Sequence, residues 1–319
     1  MSGILCGGST LSNDWVRRLT GSITVVGSIN HDIAVRVPRH PVPGETIIGS
    51  GHFTSPGGKG ANQAVAAARL GASVMMVGAV GDDAPGANLV DGLEAEGIDC
   101  TNVSASTRVA TGIALITLDM AGENSIVVSP GANGTVSVDD VTISAVADAV
   151  VVLIQQEIPA EAVAAAVLHA TGKVILNPAP ARTVSPEVLA RVDVLVPNRS
   201  ELAALAGSAE AGSLDEVADQ AHGISGPGLV VVTLGGDGAM IIDGESVTIV
   251  EAAPVTPVDT TAAGDAFCAG LAFGIASGWD VPRAVRWGAL VGALATTKEG
   301  AQPSLPTHDA VMRFATSMG

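Results

Sequence analysis

The sequence predicts a layered α/β domain that carries a small β-sheet lid. Three observations predict this fold class: short strands that are apolar on both faces, helix-patterned segments that alternate with them, and two hairpin-like segments that interrupt the alternation. Strands that are apolar on both faces are typical of a parallel sheet covered by helices. The chain has 319 residues, 47% of them apolar, which is enough for one large domain or two smaller ones with a sizeable core.

Six segments have the length and composition of buried strands. They are runs of aliphatic residues that lie at 22–28, 73–81, 149–154, 173–177, 192–198 and 229–235. Segments with helical spacing lie between them, at 60–72, 86–97, 160–171 and 199–207. Beyond residue 259 the pattern predicts a mostly helical chain, with helices over roughly 262–277, 281–298 and 307–317.

Two segments break this alternation and predict β-hairpins. Residues 29–54 contain DIAVRV and ETIIGSGHF, and residues 109–130 contain TGIALITLD and ENSIVVSP, each with period-two alternation. They are too few to build a core of their own, so we expect a small lid over one end of the main domain. We find no long linker, and we therefore predict one domain over residues 22–319 after a loose extension over residues 1–21.

Composition excludes several classes of partner. The net charge of −17 argues against nucleic acid and against anionic membrane surfaces. No segment reaches the roughly 18 apolar residues of a membrane span, and the first residues lack the pattern of a signal peptide. Cys6, Cys100 and Cys268 are odd in number and widely spaced, which indicates neither a disulfide framework nor a zinc site. We therefore predict a reduced, cytoplasmic setting.

The segment DTTAAGDAF, residues 259–267, is expected to open a long apolar helix. The first amides of a helix have no intrahelical partner and carry partial positive charge, and the small residues Ala262, Ala263 and Gly264 would let an anion such as phosphate approach them. Asp265 would lie in the first turn, where its carboxylate could take a proton from an attacking hydroxyl. The ordinary alternative is that Asp259 or Thr260 caps the helix and that Asp265 only complements its dipole.

The segment SPGGKGANQAVAAARLG, residues 55–71, places glycines and a lysine ahead of an Ala-rich helix. It matches neither a Walker A motif nor a dinucleotide-binding fingerprint. The glycines suggest that the backbone comes close to a polar group, with Lys59 and Asn62 directed to the same space. A plain Gly-rich turn is the alternative.

Polar residues also follow several predicted strands directly. Asn30 and Asp32 alternate onto one face after the first strand, as two side chains that bind hydroxyls would. Glu157 and Glu201, after two other strands, are suited to binding Mg²⁺ through water. The stretch TLGGDG, residues 233–238, offers an edge against which a flat base could pack. Each has a structural alternative as a cap or turn, but together they predict a ligand site at the carboxyl ends of at least four strands.

The motifs GGKGANQAVAAARLGA and DTTAAGDAFCAGL resemble the two signature regions of the PfkB family of sugar kinases. With GSINHD, NPAPAR, PNRSE and GAQPS, they are similar to the ribokinase group of that family, in the same order, from about residue 22 to 312. The resemblance implies a ribokinase-like three-layer αβα sandwich with a mostly parallel central sheet, and a β-lid through which a homodimer forms. It also implies ATP-dependent phosphorylation of the 5-hydroxyl of D-ribose or a similar small sugar, with Mg²⁺ and with K⁺ as activator.

The resemblance also implies a role for each matching residue. Asp265 would be the catalytic base, and the backbone amides of residues 262–265 would form the anion hole. Ribose would contact Asn30, Asp32, Gly58, Lys59, Asn62, Glu157 and Asp265. The nucleotide would contact Asn198, Thr233, Gly235, Gly236, Gly238 and Gly264. Glu201 would hold Mg²⁺ through water, and K⁺ would be surrounded by Asp259, the carbonyls of Thr261, Ala295, Lys298 and Gly300, and the Ser304 hydroxyl.

The sequence departs from the family pattern at two positions. Thr261 stands where a bulkier aliphatic residue is common. Ala289 stands where a polar side chain near adenine is common, and this departure implies looser base selectivity.

The nearest alternative function is that of another PfkB kinase, acting on deoxyribose, another pentose or a nucleoside. A non-catalytic sugar or nucleotide sensor on the same fold is a second one. A Rossmann oxidoreductase is disfavoured, because no fingerprint follows the first strand.

Overall fold

The computed structural model describes the backbone of Gly3–Ile4 and residues 21–120 and 124–318. Apart from Gly3–Ile4 and Gly21, the predicted extension over residues 1–21 lies outside the described residues. The strands are β1 Gly3–Ile4, β2 Ser22–Val26, β3 Asn30–Arg36, β4 Gly51–Gly57, β5 Ser73–Gly81, β6 Asp99–Ser106, β7 Gly112–Leu118, β8 Asn124–Ser129, β9 Val151–Ile154, β10 Lys173–Leu176, β11 Val194–Leu195, β12 Leu229–Thr233, β13 Ala239–Asp243 and β14 Ser246–Val250.

Seven of the described helices follow the predicted segments closely, whereas the pattern does not predict the four at Val138–Val141, Ser144–Ala147, Pro186–Leu189 and Leu214–His222. The helices are α1 Lys59–Arg69, α2 Ala84–Ala95, α3 Val138–Val141, α4 Ser144–Ala147, α5 Ala160–His169, α6 Pro186–Leu189, α7 Arg199–Ala206, α8 Leu214–His222, α9 Ala263–Ala276, α10 Val281–Ala295 and α11 His308–Ser317. Short 3₁₀ turns lie at Gly131–Thr135, Gly235–Asp237 and Gln302–Ser304. None of the helices in the described ranges has the length and apolar composition that a bilayer span requires.

The main sheet has ten strands in the order β1-β14-β13-β12-β11-β10-β9-β2-β5-β6. Its pairs are parallel except for β12 with β13 and β13 with β14, which are antiparallel. A separate apolar core covers each face: Leu153 packs into one and its neighbour Ile154 into the other. Helices α1, α9 and α10 contribute to the first core, and α5, α7 and α8 contribute to the second. The predicted three-layer αβα arrangement with a mostly parallel sheet is therefore confirmed.

A second, four-stranded sheet has the order β4-β3-β7-β8. Two antiparallel hairpins, β3 with β4 and β7 with β8, are joined by the parallel pair of β3 with β7. The predicted small sheet is confirmed, but the return strand of its first hairpin lies at Gly51–Gly57 instead of within 45–53. The register explains the difference, because Gly57 pairs with Asn30 and its missing side chain leaves room for Asp32. A carbon added at Gly57 would lie 2.0 Å from Oδ2 of Asp32.

Candidate active site

A polar cleft lies at the carboxyl ends of the central parallel strands, where α1 and α9 begin. Seven of the predicted site residues line it together, although they come from four separate stretches of the sequence. The lining residues are Lys59, Asn177, Ala179, Val196, Asn198, Glu201, Thr233, Thr260, Ala262, Gly264, Asp265 and Cys268.

Asp265 is a buried carboxylate at the floor of this cleft, with 6% of the residue exposed. Its Oδ2 accepts a hydrogen bond from Nδ2 of Asn62 at 3.0 Å, and its Oδ1 accepts one from Nε2 of Gln63 at 3.0 Å. Burial raises the pKa of Asp265, while the charge of Lys59 and the two amide donors act in the opposite direction. The arrangement presents a desolvated proton acceptor to the cleft.

The N-terminus of α9 has no side-chain cap. Ala262, at the N-cap position, adopts a left-handed conformation with φ 58°, the one non-glycine residue with positive φ among those the structure describes. The amide of Ala263 donates to the carbonyl of Thr260 at 3.2 Å. The amides of Gly264 and Asp265 lie in the first turn, where no earlier carbonyl of the helix is available to accept from them. A carbon added at Gly264 would meet nothing within 4 Å, so open space lies in front of this turn. The alternative of an ordinary cap by Asp259 or Thr260 is wrong.

The glycines on either side of Lys59 allow α1 to begin in close contact with the turn that follows β2. Gly58 has φ 89°, and a carbon added there would lie 2.8 Å from the amide nitrogen of Asn30. A carbon added at Gly60 would lie 2.7 Å from the amide nitrogen of Ser28. The polar group that these glycines approach is therefore the chain itself, and their close packing fixes where Lys59 stands.

Glu157 lies beneath the start of α1. Its Oε2 accepts a hydrogen bond from the amide of Lys59 at 3.1 Å and another from the hydroxyl of Ser28. The Lys59 side chain lines the cleft, and the nearby carboxylates, with Asp265 the strongest influence, raise its pKa. Lys59 therefore carries a positive charge next to the buried carboxylate.

Asn30 and Asp32, at the start of β3, bring the lid sheet to the same place. Nδ2 of Asn133 donates to Oδ1 of Asn30 at 2.7 Å, which leaves the amide NH₂ of Asn30 for another partner. Burial and the charges of Glu157 and Asp265 raise the pKa of Asp32 to about 7. Oδ1 of Asp32 and Oδ1 of Asn62 are buried without a hydrogen-bond partner. Buried acceptors of this kind require donors, and the hydroxyls of a polyol supply them.

Asn198 and Glu201 form a capping box at the start of α7. Oδ1 of Asn198 accepts from the amide of Glu201 at 2.8 Å, and Oε2 of Glu201 accepts from the amide of Asn198 at 2.9 Å. Both residues nevertheless line the cleft, and burial raises the pKa of Glu201. A single carboxylate in the cleft is suited to an Mg²⁺ ion that keeps most of its water. In the described part of the chain, no group of three or more His, Cys, Asp or Glu side chains is arranged as a metal site.

The glycine-rich stretch after β12 is the turn of the β12–β13 hairpin. A carbon added at Gly238, where φ is 94°, would lie 2.0 Å from the carbonyl oxygen of Val250, so that position requires glycine. Gly235 and Gly236 border open space, since a carbon added at either would meet nothing within 4 Å. Thr233 lines the cleft, and the three glycines continue from it along the turn.

Asp259 joins the segment before α9 to the segment after α10. Its Oδ1 accepts from the amide of Thr261 at 2.9 Å and from the Thr261 hydroxyl at 2.6 Å, and its Oδ2 accepts from the amide of Gly300 at 2.8 Å. Burial acts to raise the pKa of Asp259, but these hydrogen bonds outweigh it and the pKa is lowered.

The other predicted K⁺ ligands supply only oxygen atoms. The hydroxyl of Ser304 donates to the carbonyl of Ala301 at 2.7 Å, so its lone pairs are left for another partner, and the carbonyl of Ala295 accepts weakly from the amide of Lys298 at 3.5 Å. With Thr261 and Gly300, this set fits a hard monovalent cation.

Several functional residues were not predicted from the sequence. Gln63, Gln155 and Asn177 form a buried amide chain that reaches Asp265, and Asn133 orients Asn30. Asn177 follows β10 directly, so the rule that singled out Asn30 and Asn198 also applies to it. Gln63 follows Lys59 by four residues, which places the two on one face of α1. Gln155 follows β9 directly, so the same rule applies to it as well, whereas nothing in the sequence marks Asn133 as the partner of Asn30.

Comparison with known proteins identifies the family. The model of the pfkB family carbohydrate kinases matches residues 20–308. The ribokinase of Haemophilus influenzae is 38% identical over 306 residues, which are 92% of this chain and 98% of that protein. The ribokinase of Bacillus subtilis is also 38% identical, over 91% of this chain and 98% of its own.

Solved structures agree with the sequence relatives. Arabidopsis thaliana ribokinase in complex with ribose and ATP superposes with a TM-score of 0.85 at 32% identity, covering 92% of this chain and 98% of that one. Ribokinase from Thermotoga maritima superposes with a TM-score of 0.83 at 32% identity, covering 92% of this chain and 99% of that one. The family match, the sequence relatives and the shared fold all point the same way, and the chain belongs to the pfkB family of carbohydrate kinases.

Proposed function

We propose that the protein is a ribokinase, which transfers the γ-phosphoryl group of ATP to the 5-hydroxyl of D-ribose. One observation carries this proposal: a buried carboxylate, Asp265, stands directly beside an uncapped helix N-terminus that faces open space. A hydroxyl that attacks a bound phosphate needs a base and an anion site next to each other, and these two features supply them. Curated relatives at 38% identity that are named ribokinases support the choice of ribose.

In the proposed reaction, a carboxylate oxygen of Asp265 takes the proton of the 5-hydroxyl. The sugar oxygen then forms a bond to the γ-phosphorus, while the bond from that phosphorus to the bridging oxygen of ADP breaks. Amides of the 262–265 turn stabilise the charge of the transferring group, with those of Gly264 and Asp265 in the first helical turn and that of Ala263 shared with the Thr260 carbonyl. Lys59 supplies a positive charge on the same side as Asp265.

The remaining predicted contacts are part of the same proposal. Ribose is held by Asn30, Asp32, Gly58, Lys59, Asn62 and Glu157, with the unpartnered oxygens of Asp32 and Asn62 as acceptors for its hydroxyls. The nucleotide runs past Asn198 and Thr233 along Gly235, Gly236 and Gly238. Glu201 would hold Mg²⁺ through water, and the ion would supply positive charge next to the phosphates. K⁺ would be held by oxygen atoms of Asp259, Thr261, Ala295, Lys298, Gly300 and Ser304, and it would supply a fixed charge that stabilises the shape of the phosphate-binding turn.

We further propose that residues 22–319 act as one kinase domain in the cytoplasm and associate as a homodimer through the lid sheet. The lid exposes a cluster of aliphatic side chains on β7 and β8. Leu115, Ile126, Val127 and Val128 have 48%, 51%, 65% and 45% of their surfaces exposed, respectively. Leu115 pairs with Val127 and both point to one face of the sheet, whereas Ile126 and Val128 point to the other face. Aliphatic side chains exposed together on an edge hairpin are typical of a protein–protein contact. Cys100 and Cys268 are free thiols, as expected in a reducing compartment.

A substrate-profile assay tests the proposed function. Purified protein with ATP, Mg²⁺ and K⁺ is given D-ribose, deoxyribose, other pentoses and a nucleoside, and ADP release is measured. We expect the highest kcat/KM for D-ribose. Deoxyribose is the alternative to examine first, because the deoxyribokinase of Salmonella typhi is 34% identical over 89% of this chain. A preference of about tenfold or more for another acceptor would overturn the ribose assignment, and absence of turnover with every sugar would favour a sensor.

A further inference from the structure

We infer that Gln63 is a positioning residue that holds Asp265 in the orientation and hydrogen-bonding state of a proton acceptor. This inference deepens the proposed kinase function and rests on it for its catalytic meaning. Gln63 lies on α1, four residues after Lys59, and is fully buried. Its Nε2 lies 3.0 Å from Oδ1 of Asp265, so it contacts the base and not the space available for substrate.

The direction of this contact is set by a chain of amides that ends on the backbone. Nδ2 of Asn177 donates to the carbonyl oxygen of Val196 at 2.9 Å, and a carbonyl can only accept. Asn177 therefore turns its Oδ1 toward Gln63, whose Nε2 donates to it at 3.2 Å. The same Nε2 group has its second hydrogen for Asp265.

The other end of Gln63 is paired in the same orientation. Its Oε1 accepts a hydrogen bond from Nε2 of Gln155, which is also fully buried. Turning the Gln63 amide over would place oxygen against oxygen at both Asp265 and Asn177, and Asn177 cannot turn over in response because its Nδ2 is held by the carbonyl of Val196. Each such contact leaves a buried polar atom without a partner, which is unfavourable. Gln63 is therefore locked as a donor toward Asp265.

Locking Gln63 as a donor has a chemical consequence. A protonated Asp265 would need an acceptor for its hydroxyl, but its Oδ1 faces Gln63 and its Oδ2 faces Nδ2 of Asn62. Both amides instead stabilise the carboxylate, which is the state able to take a proton from a substrate hydroxyl. The other charged or titratable groups that act on Asp265 come from α1, β3, the end of β9, α7 and its own helix, and are Lys59, Asp32, Glu157, Glu201 and Cys268.

The test replaces Gln63 with glutamate, which has the same shape but presents an acceptor to Asp265. In Gln63→Glu, the two carboxyl groups share a proton, and the acid limb of the kcat–pH profile should move upward by about one pH unit or more. At pH 7 kcat should fall by about tenfold or more and recover as the pH rises, while KM for sugar and ATP changes by less than about threefold. Gln63→Met, which removes the donor without adding an acid, should also shift the limb upward.

Gln156→Glu is the matched control. Gln156 is the next residue after Gln155 and is also buried, but its Oε1 accepts from the amide of Arg182 and it has no hydrogen bond to the chain that reaches Asp265. It should leave the acid limb in place. An unshifted limb in both Gln63 variants, or an equal shift in the control, would overturn the inference.

A second measurement does not depend on turnover. Aspartate labelled with ¹³C at the side-chain carboxyl reports the titration of Asp265 by NMR in the free protein, with Asp265→Asn used to assign the signal. We expect a higher apparent pKa in Gln63→Met than in the unmodified protein. An unchanged pKa would overturn the positioning role even if the preferred sugar differs from ribose. A raised pKa in a protein that phosphorylates no sugar would support the positioning role and reject the proposed function.

Discussion

The side-chain amide of Asn62 donates to Oδ2 of Asp265 at 3.0 Å, across a separation of 203 residues in the chain. This bond joins the two signature regions, one at the start of α1 and the other at the start of α9. Each region alone has an ordinary structural interpretation as a Gly-rich turn or a helix start. Their direct contact shows that the two helix starts form one site, with the lysine of the first beside the carboxylate of the second.

Replacing Asp265 with asparagine should remove the base while keeping the size of the side chain. We expect kcat to fall by about 10²–10⁴-fold, the range for lost general-base catalysis, with KM for ATP little changed. The measurement is steady-state ADP release with ribose. Asp309→Asn, in an exposed position of α11, is the control and should retain full activity. A variant of Asp265 with near-normal turnover would show that another group is the base.

Gly264→Ala should separate catalysis from stability. The added methyl group would meet no protein atom within 4 Å, and the residue lies in helical conformation, so the fold should tolerate it or gain up to about 1 kcal/mol. The methyl group would instead occupy the open space at the helix mouth, and kcat/KM for ATP should fall by about tenfold or more. Urea unfolding and kinetics measure the two effects.

Gly92→Ala is the matched control for this prediction. Gly92 lies on the exposed side of α2, and a methyl group there also meets nothing within 4 Å. It should stabilise the protein by a similar amount and leave turnover unchanged. Equal activity of the two variants would mean that no phosphate passes close to Gly264.

Asp32 should make the protein without substrate less stable as the pH rises toward 8. Its pKa is about 7 in the folded state, above the ordinary value of 3.8. A group with a raised pKa contributes stability below its unfolded pKa, and this contribution is lost as the pH rises through the folded pKa. Between pH 5 and 8 we expect the free energy of unfolding of the unmodified protein to fall by about 2 kcal/mol relative to Asp32→Asn. Urea titrations at several pH values give this difference directly, and two parallel curves would contradict it.

The proposed monovalent cation site predicts a dependence on K⁺. At constant ionic strength, replacing K⁺ with Na⁺ or with a bulky organic cation should lower kcat/KM, because the oxygen ligands shape the turn next to Ala262. Asp259→Ala should remove most of the difference between the salts. Equal rates of the unmodified protein in all three salts would remove this site from the mechanism.

Much of the fold follows from periodicity. The strands at the centre of the sheet are continuous aliphatic runs, and the structure confirms each of the six predicted segments. β6 was not predicted, because Asp99–Ser106 is a polar edge strand that lacks an apolar pattern. The return strand β4 was placed too early, because its position depends on contact between Gly57 and Asp32, which no local pattern reveals.

The candidate site was predictable where chemistry accompanies a strand end or a helix start. Lys59, Asn198, Glu201, Thr233 and Asp265 all stand at such points and meet in the cleft. The partners that orient them were not predictable in the same way. Gln155 contacts Gln63 across 92 residues and Asn133 contacts Asn30 across 103, and only the folded chain brings such pairs together.

The edge strand β4 of the lid ends at Gly57, and α1 begins at Lys59. A single residue, Gly58, separates the sheet that covers the cleft from the helix that forms its floor. A side chain at Gly58 would come within 2.8 Å of the backbone of Ser28 and Asn30, so a substitution at this one position is expected to disturb the lid sheet and the placement of Lys59 together.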